Sequence, residues 1–152
     1  MKNLYTAGLL FVLLFTAHLL HAQVEPPLNE PIPDKPLLFV SLPDKFECDL
    51  AELEKLFSNS VSQTFSVRLH STLLLDGVVA EKIARSNQLL SLNLRLKNYG
   101  NALFNLNRIN ENGNVYYSGR IVNIDHGDLL ILKKEKEKYF FIKQQQRFSM
   151  VE

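Results

Sequence analysis

The hydrophobic and polar positions of this chain follow two different periods, and the change occurs near residue 60. In LLSLNLRLKN, four leucines alternate with polar residues: Leu90, Leu92, Leu94 and Leu96. Such alternation is typical of an antiparallel strand that buries one face. VSQTFSVRL, NALFNLNRI, NVYYSGRIVNI, DLLILK, YFFIKQ and RFSMV have a similar short-strand character. We therefore expect about seven strands after Val61.

Glycine, asparagine and aspartate separate these segments in the way that hairpin turns require. The predicted turns are Asp76-Gly77, Tyr99-Gly100-Asn101, Asn112-Gly113-Asn114 and His126-Gly127. The segment from Val78 to Gln88 fits either a strand or a short helix. No proline follows Pro43, so proline excludes none of the strands.

Before residue 60 the apolar positions recur at helical spacing: Leu50, Leu53, Leu56 and Phe57. Asp49 can cap this helix, and Glu52 stands in the capping-box position. Glu52 and Glu54 are two residues apart and do not face each other on a helix. We therefore interpret them as solvated carboxylates and not as a catalytic pair.

The predicted fold is mainly β (α+β), with one N-terminal helix packed on an antiparallel meander that curls into a small barrel or sandwich. LLIL and YFFI are apolar at consecutive positions, which predicts strands that are buried on both faces. A second layer, the helix or a partner chain should cover the outer of these faces.

The first 22 residues are typical of a secretory signal peptide. Lys2 precedes an apolar run shorter than the roughly 20 residues of a membrane span. We expect cleavage after Ala22, with Ala17 as the alternative, and export to the periplasm or the exterior. The short positive start and the Ala-Gln junction resemble those of exported proteins of the Bacteroidetes type.

All six prolines lie between Pro26 and Pro43. Residues 23–45 are therefore predicted to form an extended linker that serves as a spacer or as a partner-binding peptide. Leu37 to Ser41 is a candidate edge strand within it. Residues 46–152 are the predicted single domain.

The formal net charge of +1 does not favour a nucleic-acid partner, which usually requires a strong basic excess. The charges are nevertheless polarised. Residues 23–60 carry eight acids and three bases, whereas residues 61–124 carry three acids and seven bases. The two parts should attract each other, or the sheet should present a mildly positive surface.

Cys48 is the only cysteine, so no internal disulfide forms. Its acidic neighbours Glu47, Asp49 and Glu52 would disfavour a thiolate, which predicts a structural role.

The cluster Asp125-His126-Gly127-Asp128 has two interpretations. With His70 it could form a metal site, although no HExxH or CxxC motif supports one. The same residues suit a turn between two strands, and we predict the turn.

KKEKEK at 133–138 alternates in sign and is interpreted as a solvated hairpin tip. We predict no catalytic, metal or cofactor residues.

Tyrosine at strand ends and turns is suited to recognition, which makes Tyr99, Tyr116 and Tyr117 the predicted partner-binding residues. Adjacent Tyr116 and Tyr117 must point to opposite faces of their strand, so at most one of them belongs to the core.

The order NALFNLNRI, YYSGRIVNI, DLLIL and YFFIK resembles the propeptide domains of secreted metzincin metalloproteases. No HExxH motif is present, and no cysteine in this region could act as a switch ligand. The resemblance implies a free-standing inhibitor or chaperone of a secreted metalloprotease.

These observations predict an exported, non-enzymatic domain that binds a protein or an envelope component, with a homo-oligomer left open. The metalloprotease inhibitor is the alternative. A small hydrolase with scattered carboxylates is the third hypothesis, and it requires a concave pocket lined by acids or by both histidines.

Overall fold

The computed structural model of the protein describes residues 35–145. The strands are β1 (Lys45–Glu47), β2 (Thr64–His70), β3 (Leu73–Ala84), β4 (Leu89–Leu96), β5 (Ala102–Glu111), β6 (Asn114–Val122), β7 (Asp128–Glu135) and β8 (Lys138–Gln145). The helix α1 (Leu50–Lys55) continues as a 3-10 helix over Leu56–Ser58, and a second 3-10 helix covers Lys97–Tyr99. The predicted signal peptide with Ala22, linker residues 23–34 and the predicted strand RFSMV lie outside the described residues.

In the described part of the chain the strands form one eight-stranded antiparallel sheet in the order β1-β8-β7-β6-β5-β4-β3-β2. Strands β2 to β8 form a meander, and β1 pairs with β8. The predicted class, a mainly β protein with one N-terminal helix on an antiparallel meander, is confirmed. The sheet has one more strand than the expected seven or so, and the added strand β1 spans the predicted boundary between the linker and the domain.

Two consecutive residues after β1 connect the opposite edges of the sheet. The Cys48 N–H donates to the carbonyl of Tyr139 in β8, and the Asp49 N–H donates to the carbonyl of Leu69 in β2, both at 2.8 Å. Irregular register in the β2–β3 and β3–β4 pairs adds local twist. The sheet therefore curls into a half-barrel.

The inner face of the half-barrel contains the core. In β4, Leu92, Leu94 and Leu96 are fully buried, as the alternation predicted. Large buried side chains from β5, β8 and α1 join them: Phe104, Leu106, Phe141, Leu53 and Leu56. Burial of each such side chain contributes roughly 1.5–3 kcal/mol, so this face dominates the stability of the fold.

Helix α1 begins at the predicted cap. The Asp49 carboxylate accepts from the Glu52 N–H at 3.1 Å. The capping box is only half formed, because the Asp49 N–H is already bonded to Leu69 and the Glu52 side chain pairs with Lys55. Leu53, Leu56 and Phe57 are buried, so the helix closes one side of the core.

The prediction of an edge strand at Leu37 to Ser41 is wrong. The Leu42 N–H donates to the carbonyl of Phe39 at 3.1 Å and closes a turn there. Phe39 and Leu42 are buried in the core. Apolar side chains that precede residue 46, the predicted start of the domain, therefore also contribute to the core.

The turns Tyr99-Gly100-Asn101, Asn112-Gly113 and His126-Gly127 connect strands as predicted. The prediction of a turn at Asp76-Gly77 is wrong, because both residues lie inside β3. A Cβ at Gly77 would lie 2.3 Å from the Arg95 carbonyl oxygen, so this glycine permits close approach of β3 and β4. The ambiguous segment from Val78 continues β3 as far as Ala84.

Candidate functional site

The outer face of β5 to β8 carries a continuous group of apolar side chains, here called the outer apolar stripe. Its members are Leu103, Val122, Leu129, Ile131, Phe140 and Ile142. Strand register places Ile131 directly opposite Ile142. Val122 lies opposite both Leu103 and Leu129 on its two neighbouring strands.

The stripe follows from the consecutive apolar residues of LLIL and YFFI. Leu130 and Leu132 point into the core, so Leu129 and Ile131 must point outward. The outward residues are half-buried, and Leu103 is 40% exposed. Burial of both faces, which the sequence predicts for these strands, is therefore only partial, because the outer side chains retain accessible surface.

Further exposed apolar residues lie beside the stripe at the end where β7 begins. Leu37 and Val40 are 48% and 69% exposed. They line a surface cavity of about 320 Å³ together with Gln144. Because Gln144 pairs with Leu129, this cavity adjoins the stripe.

Basic residues border the stripe. Arg95 pairs with Leu103, Arg120 with Ile131, and Lys133 with Phe140. All three are exposed, and none forms an ion pair among residues 35–145. Lys45, opposite Ile142, lies 4.7 Å from the Phe140 ring centroid and pairs with Glu135. The surface therefore combines apolar area with positive charge.

The three predicted recognition tyrosines occupy different environments. Tyr116 points outward on β6, and the Lys134 ammonium lies 5.1 Å from its ring centroid. Tyr99 is half-buried with its ring centroid 5.5 Å from that of Phe39. Tyr117 is 6% exposed and points inward. The structure therefore does not bring the three side chains together on one surface, and Tyr116 offers the most outward position.

Tyr117 connects α1 to the sheet. Its hydroxyl donates to the Glu54 carboxylate. Its ring packs edge-on against that of Tyr139, with the two ring centroids 5.5 Å apart. Burial raises the pKa of Tyr117, and the bonded Glu54 carboxylate raises it further. Glu54 is exposed, as expected of a solvated carboxylate, but one of its oxygens also accepts a hydrogen bond from Tyr117.

The Asp-His-Gly-Asp segment connects β6 and β7, as the turn interpretation predicted. The Asp128 carboxylate accepts from the backbone N–H groups of Leu38 and Phe39 at 2.6 and 2.8 Å. The Gly127 N–H donates to the Pro36 carbonyl at 2.9 Å. Sequence reasoning missed this anchoring role, for which the only signal is an aspartate that opens an apolar strand.

The two histidines of the metal hypothesis have separate surroundings. His70 Nδ1 lies 2.8 Å from the Thr72 hydroxyl, and its ring is 5.0 Å from that of Phe46. His126 Nδ1 is buried and has no hydrogen-bond partner within the described residues. Among residues 35–145 no group of three or more His, Cys, Asp or Glu side chains is arranged to hold a metal ion.

Cys48 is buried at the junction of β1 and α1, in agreement with a structural role. Burial, with a smaller effect of Asp49, raises the pKa of its thiol to about 12. The thiol is therefore protonated near neutral pH and is a poor nucleophile.

A surface groove of about 550 Å³ lies beside this junction, lined by Glu47, Asp49, Glu137, Lys138 and His70 among others. Its carboxylates already have partners. Glu47 pairs with Lys138 at 2.8 Å, Glu137 pairs with Lys134 at 3.6 Å, and Asp49 caps α1. The groove nevertheless matches the concave, acid-lined pocket that the hydrolase hypothesis requires.

Comparisons with protein-family models, curated proteins and solved structures found no match. Within the described residues, no helix is both long enough and apolar enough to cross a membrane.

Proposed function

We propose that the protein is an exported, non-enzymatic binding domain of the periplasm or cell envelope, and that the outer apolar stripe is its binding surface. The observation that supports this proposal is the direct pairing of Ile131 with Ile142 on an outward face. Contiguous outward apolar area of this kind marks interaction surfaces in monomeric domains.

The charges around the stripe favour a partner of opposite charge. Arg95, Arg120 and Lys133 are exposed basic residues on its border. Each of these residues favours a carboxylate at the facing position of the partner. Complementary charge of this kind speeds association and fixes the orientation of the two proteins. The partner is therefore a protein that presents apolar side chains flanked by Asp or Glu.

The test compares two outward strand positions. Ile131→Lys places a charge within the stripe, whereas Ser66→Lys places the same charge on the polar outer face of β2. The wild-type protein and Ser66→Lys should retain one envelope protein from the native host, and Ile131→Lys should lose it. Equal retention of the envelope protein by all three proteins would contradict the proposal. If the protein binds only to itself, the partner at the stripe is a second copy of this chain.

The metalloprotease hypothesis uses the same surface with a particular partner. Its distinct expectation is stoichiometric inhibition of a secreted metalloprotease from the same organism. Failure of Ile131→Lys to inhibit would place the contact at the stripe.

The acid-lined groove favours a hydrolase as the second candidate function. Glu47 and Glu137 would be its acid and base, because both residues line the groove. Hydrolysis of an envelope-derived substrate should then be lost in both Glu47→Gln and Glu137→Gln. Retention of activity in both variants would eliminate this candidate.

A further inference from the structure

A third, smaller cavity forms a cleft at the end of the domain where α1, the β3–β4 turn and β5 meet. Its volume is about 290 Å³, equivalent to the liquid volume of about ten water molecules. Glu54 of α1 and Arg108 of β5 line it, together with polar side chains of Asn87, Gln88 and Asn110. The cleft therefore contains one acid, one base and neutral amides.

The Glu54 side chain is oriented by a hydrogen bond from the sheet. The hydroxyl of Tyr117, a residue that is 6% exposed, donates to Oε1 of Glu54. Oε2 has no hydrogen-bond partner among the described residues. Glu54 is thus oriented by one oxygen and leaves the other available for a cation or a donor.

The Arg108 side chain is also oriented by a neighbouring group. The Arg108 guanidinium carbon lies 5.3 Å from the Phe57 ring centroid, as a cation–π contact requires. Within residues 35–145 its guanidinium forms neither an ion pair nor a hydrogen bond. Its planar fork of donors is suited to bidentate binding of a carboxylate.

Glu54 and Arg108 line the same cleft without pairing with each other. A ligand that carries both signs would satisfy both groups, whereas a simple anion or cation would satisfy only one. The backbone beside Arg108 is held to the β3–β4 turn, because the Asn110 N–H donates to the Gln88 carbonyl at 2.7 Å. Leu90 and Val115 add apolar wall, and Val115 is 44% exposed.

We propose that this cleft binds a small zwitterion, either a free α-amino acid or a short peptide with free termini. Arg108 binds the carboxylate and Glu54 binds the ammonium group. Leu90 and Val115 contact an apolar side chain of the ligand. The site is separate from the outer apolar stripe and does not depend on the function proposed for it.

The test is a nuclear magnetic resonance titration of the full chain with leucine and with the dipeptide Ala-Leu. We expect saturable shifts of the Gln88 and Asn110 amides for at least one of them, and the stronger of the two identifies the ligand class. N-acetylation and C-terminal amidation of that ligand should each weaken binding at least about tenfold, because each removes one charge-assisted contact.

Arg108→Gln should abolish the shifts, and Arg68→Gln should leave them unchanged, because Arg68 is an exposed arginine of β2 outside the cleft. The spectrum of each free variant establishes that it folds. Absence of saturable shifts with both ligands, or equal binding of the blocked and free forms, would overturn the proposal.

Discussion

The carboxylate of Asp128 accepts the backbone N–H of Phe39 at 2.8 Å, across a separation of 89 residues. Asp128 is 1% exposed, and the same carboxylate also accepts from Leu38. This contact holds the segment before β1 against the start of β7. Phe39 is fully buried there, so this part of the chain contributes to the core.

Asp128→Ala should lower the free energy of unfolding by about 3 kcal/mol, because two backbone N–H groups lose a charged acceptor in a buried site. Chemical denaturation measures the change. Asp125→Ala, in the same turn but exposed, is the matched control and should stay within about 0.5 kcal/mol of wild type. Equal effects of the two substitutions would show that the anchor contributes no stability.

Tyr117 should make the fold sensitive to alkali. Its pKa is raised in the folded state, so its contribution is complete below the ordinary tyrosine pKa of about 10 and is lost as pH rises above that value. Urea unfolding at about pH 9 and about pH 11 should show a larger loss for wild type than for Tyr117→Phe, by up to about 1.4 kcal/mol per pH unit. Parallel losses in the two proteins would exclude Tyr117 as the cause.

Cys48 should resist alkylation in the folded protein. A thiol pKa of about 12 leaves little thiolate near pH 8. Relative to an ordinary cysteine, the rate with iodoacetamide should fall by about 10³-fold, and it should recover in denaturant. Rapid modification of the native protein would contradict the burial of this thiol.

Gly77→Ala should destabilise the β3–β4 pair. The new Cβ would lie 2.3 Å from the Arg95 carbonyl oxygen and 2.9 Å from Cζ of Phe65. We expect a loss of about 3 kcal/mol in the free energy of unfolding. Asp76→Ala, at the adjacent outward position, is the control and should have a small effect on the free energy of unfolding. A similar loss in both variants would attribute the destabilisation to substitution anywhere in this strand, and not to the close approach of β3 and β4 at Gly77.

The sequence predicted what local periodicity determines. The alternation in LLSLNLRL gave β4, and the spacing of Leu53, Leu56 and Phe57 together with Asp49 gave the helix and its cap. The prediction failed at Asp76-Gly77, because a glycine in a turn and a glycine under a neighbouring strand have the same local signal.

The candidate sites were harder to predict, since they depend on contacts between distant residues. The contacts of Asp128 with Leu38 and of Tyr117 with Glu54 join segments at least 63 residues apart. The outer apolar stripe was indicated by LLIL and YFFI. Its extension to Leu103 and its basic border required the strand register.

The central claim is that the outer apolar stripe binds a partner, and site-specific photocrosslinking in the native envelope tests it most directly. A photoreactive phenylalanine at position 131 is compared with the same group at position 66. We predict one defined crosslinked protein from position 131 and none from position 66. Absence of a product from position 131, or the same products from both positions, would contradict the claim.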